Sequence, residues 1–166
     1  MAARTSWNND QLYSSASNEW GTPDWLFEAL DEEFHFELDA AASEDMTKCE
    51  DYFTKLDNGL LQDWSAVANS VWVNPPYGRG IGKWVEKAYK EAAKGCKVVV
   101  LTFVRSDTRW WHDWALKAEE IRLIKGRVAF TSNGETTNSA PAPSCVLIFD
   151  NSRRLPVFKA WEPTKE

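Results

Sequence analysis

Val71-Trp72-Val73-Asn74-Pro75-Pro76-Tyr77-Gly78 is a short apolar run stopped by two successive prolines. A sheet loses an amide donor at each proline, and proline is excluded from a helix interior, so a strand must end here and a loop begin. Beyond the loop, Ile81, Trp84, Val85, Ala88, Tyr89 and Ala92 recur at helical spacing and predict a helix over 81–93, closed by Gly95. Cys96-Lys97-Val98-Val99-Val100-Leu101-Thr102-Phe103-Val104 follows as a nearly continuous apolar run, the pattern of a strand in a buried parallel sheet.

The same alternation extends outward on both sides. Thr22-Pro23-Asp24 has the form of an N-cap with proline at the first helical position, and the spacing of Trp25, Leu26, Ala29, Leu30 and Phe34 predicts a helix from Pro23 to Phe34. Phe36-Glu37-Leu38-Asp39 alternates and suits a short strand ending in an acidic residue. Residues 40–70 have no clean period, apart from the turn signal Asp57-Asn58-Gly59. Downstream, a helix is expected over 108–118, strands over 121–124 and 126–130, and a long polar loop over 131–143. A strand over 145–149 and an edge strand over 155–161 complete the chain. Strand and helix alternate, so the fold class expected is α/β with a mostly parallel sheet.

The chain of 166 residues has room for one ordinary domain, and 43% hydrophobic with 27% charged residues is a globular composition. No apolar run approaches the roughly 20 residues that span a bilayer, and the polar N-terminus lacks a signal-peptide pattern, so a cytoplasmic protein is expected. Residues 1–18 have the Ser/Asn-rich character of a flexible arm. Cys49, Cys96 and Cys145 are too scattered for a zinc site or a disulfide framework and are taken as structural thiols. His35 and His112 are isolated, and no metal is expected. The ten tryptophans supply buried area in a small core, with one or two available to stack on a base or an adenosine. The net charge of -6 hides an asymmetry: residues 1–78 carry 3 Lys/Arg against 15 Asp/Glu, whereas 79–127 carry 12 against 6. A basic middle segment can present a positive face to phosphates, although Lys83, Lys87, Lys90 and Lys94 also suit the solvated face of one helix.

Asn74-Pro75-Pro76-Tyr77, placed after a strand and ahead of a helix, carries the chemistry. An aromatic exocyclic amine is a poor nucleophile because its lone pair is delocalised into the ring. The Asn74 side-chain oxygen and a prolyl carbonyl can accept its hydrogens and favour a more tetrahedral nitrogen, aimed at a methyl sulfonium. The prolines hold that carbonyl rigid with no competing amide donor. Tyr77 can stack on a base swung out of a duplex, as enzymes acting on a base require. The plainer reading is a rigid strand-to-loop turn.

Asn74-Pro75-Pro76-Tyr77 resembles the catalytic motif of amino-methyltransferases, of general form [Asp/Asn/Ser]-Pro-Pro-[Tyr/Phe/Trp]. Trp20-Gly21-Thr22-Pro23, Leu38-Asp39-Ala40-Ala41, Lys48-Cys49 with Tyr52-Phe53, Asp57-Asn58-Gly59-Leu60 with Asp63-Trp64, Arg127 to Phe130 and Ala140 to Phe149 are similar, in order and spacing, to the phage-type DNA N6-adenine methyltransferase (Dam) family. The resemblance covers about residues 20 to 150. It implies a Rossmann-like methyltransferase sheet over 19–166, with S-adenosylmethionine at the carboxyl ends of the strands, and DNA as substrate. By resemblance, Asp39, Ala40 and Ala41 occupy the first cofactor loop, and Thr22-Pro23 the segment at the methionine end. Asp57 and Asp63 are candidates for the ribose hydroxyls or the adenine amine, or else turn and cap residues. That loop has Ala40-Ala41-Ala42 where many methyltransferases carry glycine.

Arg105 and Arg109 follow the strongest strand and can hold phosphates beside a flipped adenine, or can flank a helix cap at Asp107 or Thr108. Asn133 and Asn138 in the polar loop can reach base edges. No separate target-recognition domain is visible, so sequence reading would rest on loops or on a homodimer. RNA adenine and a protein amide nitrogen remain alternative substrates, and an inactive DNA-binding or anti-restriction module of the same fold is the alternative of another class. Restriction-modification and other marking of DNA look alike at this level.

Overall fold

The structure is a computed structural model that describes residues 20–132 and 135–163, with the backbone alone for 136–138. The arm expected over 1–18 lies outside the described residues. Along the chain come α1 (Asp24–Phe34), β1 (Leu38–Asp39), β2 (Asp51–Tyr52), a 3₁₀ turn (Gly59–Leu61), α2 (Trp64–Val67), β3 (Ser70–Val73) and α3 (Ile81–Ala93). β4 (Lys97–Phe103), α4 (Arg109–Asp113), a second 3₁₀ turn (Ala115–Lys117), β5 (Glu120–Ile124), β6 (Ala129–Ser132), β7 (Glu135–Ser139), β8 (Ser144–Phe149) and β9 (Val157–Trp161) follow.

Seven strands form one sheet in the order β2-β1-β3-β4-β8-β5-β9. β8 runs antiparallel to both β4 and β5, and every other pairing is parallel, so the expected α/β class with a mostly parallel sheet holds. Alternation along β4 divides the core. Val98 and Val100 join Trp64, Trp84, Val85, Ala88 and Trp111 on the face covered by α3 and α4. Val99, Leu101 and Phe103 join Leu26, Phe27, Leu30, Trp72 and Phe130 on the face covered by α1. Most described tryptophans are buried or partly buried, as their bulk in a small core requires. Arg122 on β5 grips Glu33 of α1 through two 2.7 Å bonds and Glu120 through Nε at 2.8 Å, tying that helix to the sheet.

The helix predicted over 81–93 has those bounds, and Gly95 follows its cap at φ +116°, a conformation that glycine adopts without a steric penalty. Three expectations are corrected. Pro23, not Thr22, is the N-cap of α1: its carbonyl accepts from the amides of Leu26 and Phe27, while the Thr22 side chain is engaged elsewhere. The polar stretch 131–143 is not a loop for most of its length, because β6 and β7 pair antiparallel as a hairpin. Ser132 opposite Glu135 leaves two residues between them, and the Asn-Gly dipeptide is the strongest short hairpin signal in a sequence. The helix expected over 108–118 is one short turn of α-helix followed by a 3₁₀ turn.

Candidate active site

The chain leaves β1 for β2 on one side and later returns to β3 on the other, so the crevice between the carboxyl ends of β1 and β3 is a topological switch point, where open α/β sheets bind ligands. The loop after β1 begins at Asp39-Ala40-Ala41, and the loop after β3 at Asn74-Pro75-Pro76-Tyr77. The structure therefore brings the first cofactor-loop candidates and the motif to one sheet edge.

Asn74 is held on both edges of its amide. Nδ2 donates to the Trp20 carbonyl at 2.8 Å and to Thr22 Oγ1 at 3.0 Å. Oδ1 accepts from the Tyr77 hydroxyl at 2.9 Å. That hydroxyl also lies 3.3 Å from the Leu101 carbonyl, and burial pushes its pKa well above the usual tyrosine range, so it stays a donor. The Tyr77 ring is 5% exposed and stacks on Phe103 at 4.5 Å between centroids and 17° between planes. Trp20 and Phe130 flank it at 6.2 and 5.7 Å.

Asp39 is 3% exposed and accepts from the amides of Ala41 at 3.3 Å and Lys48 at 3.0 Å, closing the loop after β1 onto the segment before β2. Desolvation outweighs these bonds and raises its pKa to about 6. Ala40 is fully buried and donates its amide to the Trp72 carbonyl. In the same loop the Ser43 hydroxyl is buried without a hydrogen-bond partner among the described residues.

Asp57 is exposed and bonds the amide and hydroxyl of Thr54, as a turn residue does. Two residues on, Gly59 lies against the Ala40 carbonyl, which brings this turn near the crevice. Asp63 is not brought to it. Its carboxylate bonds Ser65 and Lys94, the latter at the end of α3 that leads into the amino end of β4.

Tyr77, Gly78, Arg79, Phe103, Arg105 and Trp110 line a cleft beside the motif. Arg109 opens α4 nearby and is exposed. Neither Arg79, Arg105 nor Arg109 makes an ion pair among the described residues, whereas Lys87, Lys90 and Lys94 are engaged by Glu91 and Glu86 on their own helix. Within the basic middle segment, these three lysines are thus neutralised by glutamates of α3, Arg122 is spent on Glu33 and Glu120, and Arg79, Arg105 and Arg109 stand without an ion pair among the described residues. Asn138 lies on β7, and Asn133 lies outside the described residues. His35 caps α1 and His112 bonds the Ser106 carbonyl. Sequence reasoning missed Arg79, although a basic residue next to the motif was a visible signal, and it missed Trp20 as a partner of Asn74.

Among the described residues no group of three or more His, Cys, Asp or Glu is placed to hold a metal ion, and no helix is long and apolar enough to cross a membrane. Residues 9–159 match the family model described as DNA N-6-adenine-methyltransferase (Dam). The DNA N-6-adenine-methyltransferase of Haemophilus phage HP1 (strain HP1c1) is 30% identical over 136 residues, 79% of this chain and 78% of its own. That of Escherichia phage T1 is 31% identical over 133 residues, 70% of this chain and 55% of its own. The chain belongs to the DNA N-6-adenine-methyltransferase (Dam) family.

Proposed function

We propose that the chain transfers the methyl group of S-adenosylmethionine to the exocyclic N6 amine of adenine in DNA. The observation that carries this reading is the Asn74 amide, fixed at the switch point of the sheet by Trp20, Thr22 and Tyr77. Both amide hydrogens are already given away, and one Oδ1 lone pair is taken by Tyr77. What Asn74 has left is one acceptor site. That suits one hydrogen of an amine, and the Pro75 carbonyl is the natural acceptor for the other. Together they favour a nitrogen whose lone pair is localised for attack.

The sulfonium of the cofactor supplies the electrophilic methyl group. The residues after β1 fit such a ligand: Ala40 and Ala41 allow close backbone approach, and the Ser43 hydroxyl is a buried polar group in want of a partner. Asp39 holds this loop in shape through the Ala41 and Lys48 amides. Arg79, Arg105 and Arg109 make no ion pair among the described residues and are assigned to phosphates around an extruded nucleotide, and Asn133 and Asn138 are assigned to the base edges.

The test is transfer of labelled methyl from S-adenosylmethionine to unmethylated duplex DNA, followed by nucleoside analysis. N6-methyladenine is expected with the wild type and absent with Asn74→Ala. Equal product from both proteins would sink the assignment of Asn74; no transfer to DNA, with label passing to RNA or protein offered in its place, would sink the assignment of substrate.

A further inference from the structure

Residues 20–22 cross the motif as a strap. Trp20 packs on Phe130 at 5.4 Å, and Gly21 exchanges both backbone hydrogen bonds with Thr131 of β6, at 2.7 and 2.9 Å. The strap then presents two acceptors to one nitrogen, the Trp20 carbonyl and Thr22 Oγ1. A carbonyl can only accept. If the Asn74 amide were turned over, its oxygen would lie against the Trp20 oxygen at hydrogen-bonding distance, and two acceptors would repel.

We infer that Thr22 is a positioning residue, which together with the Trp20 carbonyl dictates that Asn74 turns its oxygen, and not its NH2 group, toward the substrate amine. The inference rests on the reading of Asn74 as the acceptor for that amine. An amide offered the wrong way round would present donors to a donor and could not localise the nitrogen lone pair. Trp20 determines the polarity. Thr22 takes the second amide hydrogen and stops rotation about the Cβ–Cγ bond. Thr22 is 3% exposed, so its hydroxyl is shielded from bulk solvent. This role differs from contact with the cofactor, and the two are separable by kinetics.

Thr22→Val replaces the hydroxyl by a methyl group of similar size. Its kcat is expected to fall about tenfold, the worth of one lost hydrogen bond to the reacting arrangement. KM for DNA and the affinity for S-adenosylmethionine are expected to stay close to wild type. Thr22→Ala, which removes the hydroxyl without adding bulk, is expected to share the loss, and Thr22→Ser to restore most of it. Unchanged kcat in the valine and alanine variants, a loss confined to cofactor affinity, or a serine variant as poor as valine would overturn the inference. Wild-type turnover in Asn74→Ala under the same assay would instead overturn the reading beneath it.

Discussion

The backbone of Gly59 passes so close to the carbonyl oxygen of Ala40 that a β-carbon at position 59 would lie 2.2 Å from it, with the Trp84 ring at 3.0 Å on another side. The oxygen belongs to the backbone directly after β1 and the ring to the core, so neither can swing away. Gly59→Ala should therefore destabilise the protein by about 1–3 kcal/mol, the usual cost of overpacking. Urea denaturation checks this. Because the displaced atom lies in the loop after β1, cofactor affinity should fall along with stability.

Tyr77 donates to Asn74 Oδ1 from a ring buried between Phe103, Trp20 and Phe130. Tyr77→Phe keeps that packing and deletes the bond. The expected result is a stability loss of about 1 kcal/mol and a several-fold lower kcat, with binding of S-adenosylmethionine unaltered. Single-turnover methylation beside cofactor titration separates the two effects. A kcat equal to wild type would show that the hydroxyl serves packing alone.

Arg79 and Arg105 line the cleft beside the motif without an ion pair among the described residues. If each meets one phosphate, Arg79→Ala and Arg105→Ala should each weaken DNA binding and lower the slope of log K against log salt by about 1. Lys90→Ala is the control: Lys90 is occupied by Glu86 on the outer side of α3, and its loss should leave the slope alone. Binding isotherms at several salt concentrations decide the matter.

Asp39 has its pKa raised by burial to about 6, from 3.8. A raised carboxyl binds its proton more tightly in the folded state, so its stabilising effect is present at low pH and is lost as pH climbs through about 6. Between about pH 4 and 6 the wild type should lose about 3 kcal/mol relative to Asp39→Asn, which has no proton to release there. Denaturation of both proteins at pH 4, 5, 6 and 7 measures the difference. A constant gap would mean that the Ala41 and Lys48 amides hold the carboxylate ionised throughout.

The β3–α3–β4 region was legible because dense apolar residues at period 3.6 and in a continuous run leave no other way to bury them. Residues 40–69 were not, since their shape comes from individual bonds with no period: Trp64 Nε1 to the Gly59 carbonyl, Asp57 to Thr54, Asp39 to the Lys48 amide. The hairpin escaped because Thr131, Ser132 and Glu135 give no apolar alternation, although the Asn-Gly turn signal was there to be used. For the site, the motif is contiguous and so announces itself. Its partners Trp20 and Thr22 lie 54 and 52 positions away, a distance that only tertiary packing closes. Asp63 was a reasonable candidate by type, but Lys94 draws its carboxylate to the opposite end of α3.

The strap that steadies Asn74 is itself moored at Thr131, more than a hundred positions later in the chain. During synthesis the Asn-Pro-Pro-Tyr segment is complete long before its mooring leaves the ribosome. A nascent or truncated chain ending ahead of β6 holds the motif but not the two-sided grip on its amide, so competence for chemistry arrives late and all at once. Cutting the chain between positions 22 and 131 need not abolish that competence, provided the two pieces reassociate, because the grip depends on contact and not on covalent continuity.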